Sequence, residues 1–524
     1  MTTPANSGAP IRPVRMITSI FTVGGWTMMS RVLGFVRDVM IAGLIGPGPV
    51  MDAFVAAFRL PNMFRRFFAE GAFNAAFVPM FSKRLEGGDD AQGFARRAFS
   101  GLALVLLLLV ALAMIFMPGL VWLTAEGFAG DERFDLTVEF GRVVFPYIFF
   151  ISLAALLSGV LNSTGRFVAA AAAPVLLNVM LCAAMGFAVW TGGSVPTALV
   201  WTIPFAGVAQ LALVWIAATR AGQSIRPVRP RWTPEMRQLV RIAVPAALAG
   251  GVMQINLLVG QQVASNFESA VSWLYAADRL YQLPLGVVGI AVGIVLLPDL
   301  SRRLRADDGD GARMALSRAG EVSLALTVPC AVALVVIPIP LITVLFERGN
   351  FTADDTAATA LAVAIYGLGL PAFVLQKVLQ PIYFAREDTK RPFYYAVASM
   401  VVNAALAIGL APYIGWIAAA IGTTIAGWAM VWLLARGVRP FGDVARFDDR
   451  FRSRIWRICV ASAVMGAALW AVMISLSPVF GVPGWRWLAL LALIAAGSAV
   501  YYIAGRVTGA FTKSELKGAL RRQR

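Results

Sequence analysis

The sequence predicts an all-α polytopic membrane protein with 14 transmembrane helices, built as two pseudo-symmetric six-helix lobes plus two C-terminal helices. Three observations carry that expectation. The 524 residues are 59% hydrophobic, with a mean hydropathy of +0.75, well above the range of soluble domains. Purely apolar runs such as residues 101–118 approach bilayer length. Basic residues alternate between the two ends of successive runs. A membrane β-barrel would instead show strands of about ten residues with alternating polarity.

Apolar runs and their breaks place the spans at 16–46, 51–82, 98–123, 138–162, 167–190, 196–219, 238–264, 270–300, 317–346, 356–384, 393–411, 414–435, 455–476 and 485–506. The polar, basic stretch 1–15 reads as a cytoplasmic tail. The apolar run after it is too long for a signal-peptide core and is followed by no small-residue cleavage site, so it reads as a retained first helix. With the N-terminus inside, the predicted inner segments hold 34 of the 45 Lys and Arg residues. The outer segments hold 4, namely Arg133, Arg142, Arg348 and Arg486. That bias places both termini in the cytoplasm. It also accounts for the net charge of +17 through anionic headgroups, and no nucleic-acid partner is expected.

The chain has no histidine, which removes imidazole acid–base chemistry and most zinc and haem sites. Cys182, Cys330 and Cys459 are scattered through apolar segments without a CxxC pair, so neither disulfides nor metal clusters are expected. No catalytic residue, metal or cofactor is assigned.

Seven basic residues remain inside the spans: Arg31, Arg37, Arg59, Arg65, Arg66, Arg279 and Lys377. Each would cost about 2.5–3.5 kcal/mol at mid-bilayer, so they must face protein or a wet cavity. Seven-residue steps return to nearly the same helix face. Gly24, Arg31 and Asp38 therefore share a face, with Arg37 on its flank; Asp52, Arg59, Arg66 and Phe73 align likewise, beside Asn62 and Glu70. Pro61 predicts a kink or an unwound turn in that stripe. The acidic partners within the spans are Asp38, Glu70 and Asp278, with Asp52 at the outer edge. The positive surplus points to an anion site, and guanidinium suits phosphate oxygens. Asp354, Asp355 and Glu347 read as solvated charge in an outer loop.

Pro146, Arg166 and Asn178 recur as Pro371, Arg391 and Asn403, offset by 225 residues. Arg59–Leu60, Pro79 and 82–85 are echoed by Arg279–Leu280, Pro298 and 301–304. An even number of helices per half makes the repeats parallel, the plan of a transporter with its site between lobes. The segment matching the first helix carries the amides Gln254 and Asn256 in place of arginines. The expected parts are a tail 1–15, a lobe 16–220, a linker 221–237, a lobe 238–437, a linker 438–454, helices thirteen and fourteen over 455–507, and a basic tail 508–524. Prolines in 226–231 make the first linker an extended tether.

The stretches SRVLGFVRD (30–38), DAFVAAFRLPNMFRRFFAEGAFNAAFVP (52–79), FPYIFFISLAALLSGVLN (145–162) and YAADRLYQLPLGVVGIAVGIVLLP (275–298) resemble the MurJ (MviN) family of lipid II flippases. The resemblance covers nearly the whole chain. It implies the fold of the MOP exporter superfamily, alternating access, and as substrate an undecaprenyl-diphosphate-linked disaccharide-pentapeptide of peptidoglycan synthesis. It places substrate-binding arginines at Arg31, Arg37, Arg65 and Arg279, and an important aspartate at Asp52. It also implies a groove for the lipid tail on the last two helices. Asp38, Arg59, Asn62, Arg66, Glu70, Asp278 and Lys377 are read as supporting or gating groups. An acidic position found in some members is Gln282 here, and the acidic residue of a sodium site in helix seven has no counterpart between Arg241 and Phe267, which favours the membrane potential as driving force.

Membrane lipids and the cell-wall synthesis machinery are the expected neighbours of a monomer. The alternatives are a flippase of another polyprenyl-diphosphate oligosaccharide, a MATE-like exporter and, more distantly, a membrane enzyme acting on polyprenyl phosphates. Cationic drugs would want an acidic cavity, and an enzyme would want clustered carboxylates.

Overall fold

A computed structural model describes residues 16–65, 72–442, 446–482 and 484–511. Among these the chain forms eighteen α-helices and no strand. Every predicted span holds a helix or a pair of helices. The first is α1 (Met16–Ile45); the second holds α2 (Pro49–Arg65) and α3 (Ala72–Gly87). The third holds α4 (Ala91–Ile115) and α5 (Met117–Thr124), and the fourth α6 (Glu132–Val144) and α7 (Tyr147–Ser163). Then follow α8 (Val168–Thr191), α9 (Val195–Arg220), α10 (Pro234–Ser265) and α11 (Ala270–Arg305). The ninth span holds α12 (Gly309–Val336) and α13 (Pro338–Leu345). The last five are α14 (Ala353–Phe384), α15 (Lys390–Ile414), α16 (Ala418–Gly437), α17 (Asp449–Phe480) and α18 (Arg486–Val507).

Three of these pairs, α4/α5, α6/α7 and α12/α13, meet at prolines. Pro118, Pro146 and Pro338 sit at or next to the first turn of the second member, where a missing N–H is tolerated. Of the two outcomes expected at Pro61, the unwound turn is not found: α2 continues through the proline to Arg65. Asn62, the next residue, donates its side-chain amide to the carbonyl of Phe58 at 2.8 Å, so one carbonyl near the proline gains a second donor. Nine stretches among the described residues are long and apolar enough to cross a membrane by length and composition alone. Helices α1, α2 and α11 fall outside that set, and they carry Arg31, Arg37, Arg59, Arg65 and Arg279.

The helices gather into two compact units. One comprises Met1–Arg37, Phe58–Phe116 and Gly141–Gly250; the other comprises Asp38–Ala57, Met117–Phe140 and Gly251–Arg524. In the first unit Phe77 stacks on Phe73, Phe81 and Phe94 with centroids 5.5–5.8 Å apart. Gly207 lets α9 close on α7, since a Cβ there would meet the Tyr147 ring at 2.9 Å. Small residues serve this close approach where burial from water drives nothing. Residues 223–233 have no helix and are bonded to α4: Ser224 O accepts from Arg96 Nε at 3.0 Å and Val228 N donates to Ser100 Oγ at 2.8 Å.

In the second unit α17 and α18 are fastened to α12 and the loop after α13. Ile337, Met465, Leu469 and Leu493 form a buried apolar cluster. Tyr501 donates to Ala325 O at 2.7 Å. At one end, Glu321, 5% exposed, meets Arg318, Arg450 at 3.7 Å and Arg454 at 3.5 Å. At the other end, Arg486 pairs with Glu347 at 3.1 Å. Glu347 also accepts from Thr356 Oγ1 at 3.0 Å. Asp355 is buried and closes a capping box with Thr352 at the start of α14. It also accepts from Trp273 Nε1 at 2.8 Å. The expectation that Glu347 and Asp355 are solvated loop charges is therefore corrected: both are spent on helix ends and inter-helix bonds.

Gly497 abuts Leu469, and an added Cβ would meet its Cδ2 at 2.8 Å. Gly497→Leu should overpack this contact by about 1–3 kcal/mol and lower the melting temperature of the purified protein in detergent. Gly186→Leu on α8, where an added Cβ meets nothing within 4 Å, should leave it nearly unchanged.

Candidate functional site

Charges inside a low-dielectric bundle persist only where protein groups replace water. Helix α1 carries two such charges in succession. Arg37 is 9% exposed and Asp38 is 3% exposed. In the first unit, Arg37 Nη1 donates to Asn178 Oδ1 on α8 at 2.8 Å. In the second unit, Asp38 Oδ1 accepts from the Tyr275 hydroxyl at 3.1 Å, and its Oδ2 lies 3.6 Å from Arg279 Nε on α11. Arg279 also lies 4.0 Å from Asp278 and places its guanidinium over the Tyr275 ring, 4.5 Å from the centroid. Gln282, at the position where some relatives are expected to be acidic, donates to Asp278.

Asp52 is fully buried in the first turn of α2. Its carboxylate accepts from Ser269 N at 3.0 Å, Ser272 N at 2.9 Å and Ser272 Oγ at 2.5 Å. These donors open α11, so the carboxylate sits against the positive end of that helix. Ser269 holds a left-handed backbone, φ 62°. Arg133 Nη1 approaches Asp52 at 3.6 Å. Arg133 is fixed in turn by Asp131 at 2.6 Å, by Phe267 O at 3.3 Å and by the Phe128 ring at 4.5 Å. Around this anchor lie further bonds of the same unit. Gln261 donates to Thr124 O at 3.2 Å, Gly127 N to Ser265 Oγ at 3.1 Å, and Asn350 N to Gly43 O at 2.9 Å. The backbones at Gly43 and Gly349 nearly touch: an added Cβ at Gly349 has no room beside Gly43 O, and its φ is 59°.

Of the sequence-predicted site residues, the structure brings Asp38, Asp278 and Arg279 together in the second unit. Arg31, Arg59, Arg65 and Asn62 are all partly buried and belong to the first unit. Lys377 is exposed on α14. Arg66 and Glu70 lie outside the described residues, as do residues 1–15 and 512–524, and so do the side chains of Gln254 and Asn256. Sequence reasoning missed Arg133, Ser272, Tyr275 and the positioning of Arg37. Only Asn178 carried a signal, through the internal repeat. Asp52→Asn keeps the size and removes the anion facing α11 and Arg133. It should destabilise the protein by about 1–3 kcal/mol, read as a lower melting temperature in detergent.

Three comparisons bear on this arrangement. The family model described as lipid II flippase MurJ matches residues 41–495. A relative described as a probable lipid II flippase MurJ from Rhizobium tropici is 44% identical, over 97% of this chain and 97% of its own length. A solved structure of a lipid II flippase MurJ in an inward closed conformation superposes with a TM-score of 0.78 at 26% identity, over 93% of this chain and 98% of that one. An inward-facing multidrug resistance MATE family transporter of the MOP superfamily follows at 0.64 and 15% identity, over 81% and 98%; that likeness shows the fold alone.

Proposed function

The chain belongs to the lipid II flippase MurJ family, and we infer from that membership that it moves lipid II, the lipid-linked precursor of peptidoglycan, across the inner membrane in which its helices lie. It is a transporter and not an enzyme. The observation that carries this reading is the family match over residues 41–495, joined to a near full-length relative at 44% identity. The likeness to a multidrug MATE transporter, at 15% identity, shows the fold alone and does not favour drug export.

The mechanism we propose is alternating access of the two lobes, 16–220 and 238–437, with the substrate diphosphate held by Arg31, Arg37, Arg65 and Arg279. Guanidinium is suited to this task because it stays charged and meets phosphate oxygens in a fork. The Asp38–Arg279 pair supports an exchange step. A diphosphate competes with Asp38 for Arg279, and Asp38 keeps the Tyr275 hydroxyl when its guanidinium leaves. Such exchange shifts the balance of conformations only through the ligand's differential affinity for them. Asp278, Asp52, Arg59, Asn62, Arg66, Glu70 and Lys377 act in support. The polyprenyl tail stays in lipid along α17 and α18. Both termini are cytoplasmic, and the protein works as a monomer among membrane lipids and the wall-building machinery.

Reconstitution into vesicles, with lipid II exposure followed on the far leaflet, tests the reading. Wild type should flip. Arg37→Ala and Arg279→Ala should each lower the rate at least tenfold, about 1.4 kcal/mol or more in the barrier, while eluting as folded protein. Wild-type rates in both variants would refute the arginine roles, and absence of flipping by wild type would refute the function.

A further inference from the structure

Arg391 belongs to the internal sequence repeat, and transport gives it no role. It stands in the first turn of α15, just after the loop that follows α14. Arg386 lies in that loop. Both guanidiniums reach the same ring: Arg386 lies 4.5 Å and Arg391 5.4 Å from the centroid of Phe441. Arg386 Nη2 also approaches the Phe441 carbonyl at 3.5 Å. Phe441 closes a short turn, Arg439–Phe441, beyond the end of α16. Tyr383 meets its ring edge to face, with centroids 5.5 Å apart. Tyr383 is itself fully buried and donates its hydroxyl to Leu434 O at 2.7 Å. Three helix ends therefore fix one aromatic platform on which two cations converge.

Charge around the platform is one-sided. Arg386, Lys390, Arg391, Arg436 and Arg439 are all exposed, against the acidic pair Glu387 and Asp388. Asp388 lies 3.4 Å from Arg391, and no carboxylate among the described residues pairs with Arg386. Like charges drawn to one ring repel, and an anion between them removes the repulsion. Beside the arginines stand the exposed side chains of Phe384, Tyr394 and Trp432, of the kind that settles at a membrane surface. A soluble anion gains nothing from them, whereas a lipid brings both a phosphate and hydrocarbon.

We propose that Arg386 and Arg391, floored by Phe441, bind the headgroup phosphate of an anionic phospholipid, with its acyl chains against Phe384, Tyr394 and Trp432. Guanidinium takes phosphate oxygens in a fork. A headgroup carrying its own ammonium is disfavoured, because it brings a cation to a basic platform. In the orientation proposed above this rim faces the cytoplasmic leaflet, where anionic lipids concentrate; the proposal rests on that orientation only for the leaflet that supplies the lipid. A lipid held there staples the ends of α14, α15 and α16, away from the arginines of α1, α2 and α11.

The test uses the delipidated full-length protein in neutral detergent, titrated with phosphatidylglycerol, with bound lipid counted by mass spectrometry of the intact protein. Wild type should bind phosphatidylglycerol more tightly than phosphatidylcholine, and equal affinity for the two would overturn the proposal. Arg386→Gln/Arg391→Gln should weaken phosphatidylglycerol binding about tenfold, the scale of losing a hydrogen bond to a charged group. Its melting temperature and elution profile should stay close to wild type, since both side chains are exposed. Wild-type affinity in this variant would overturn the site. Arg229→Gln/Arg231→Gln, equally exposed in the linker, should bind as wild type; an equal loss there would show a diffuse attraction and overturn the site as well. Displacement of the lipid by inorganic phosphate would assign the platform to a soluble anion and overturn the lipid reading. Should the double variant fail to fold, Arg386→Gln alone decides: it breaks no ion pair among the described residues and should still lose affinity. The readout is binding and not flipping, so the transport reading stands or falls on its own test.

Discussion

The buried carboxylate of Asp52 is the point from which the larger unit takes its registration. An ion without water must find its whole solvation shell in protein, and Asp52 finds it in the opening turn of α11 and in Arg133. Both oxygens are used, by donors that lie 217 and 220 residues further along the chain. The close approaches at Gly43 and Gly349 rest on the same registration, since no side chain could intervene there.

The adjacent pair Arg37–Asp38 illustrates how unlike charges are accommodated within one apolar helix. Burying both against each other would neutralise them and leave nothing for a ligand. Here the cation bonds a neutral amide on α8, while the anion bonds a phenol and a guanidinium on α11.

The apolar runs and the uneven distribution of Lys and Arg were enough to read all the spans, because bilayer thickness and headgroup charge act on local composition. Charge inside a span is equally legible, since its cost is local: Asp38 and Asp278 stand out as acidic groups and Arg279 as a basic one within apolar runs, although that Asp38 meets Arg279 is not visible there. What was not legible depends on pairing between distant segments. Nothing near Arg133 in the sequence announces Asp52, and nothing near Tyr275 announces Asp38. Glu347 and Asp355 looked like loop charges because a helix cap and a bond to Arg486 exist only once α14 and α18 are in place. At Pro61 the lost N–H is visible in sequence, whereas the Asn62 side chain that bonds a neighbouring carbonyl reveals itself only as geometry.

The fastening of α17 and α18 has a consequence for cargo handling. Three guanidiniums converge on Glu321 at one rim, Arg486 grips Glu347 at the other, and an apolar cluster fills the middle. The hairpin is thus no detachable appendage. A chain cut short before Asp448 would strip Glu321 of Arg450 and Arg454 and bare the flank of α12. A hydrocarbon chain lodged along this pair would ride with the unit to which the hairpin is fastened, instead of trailing on a loose arm.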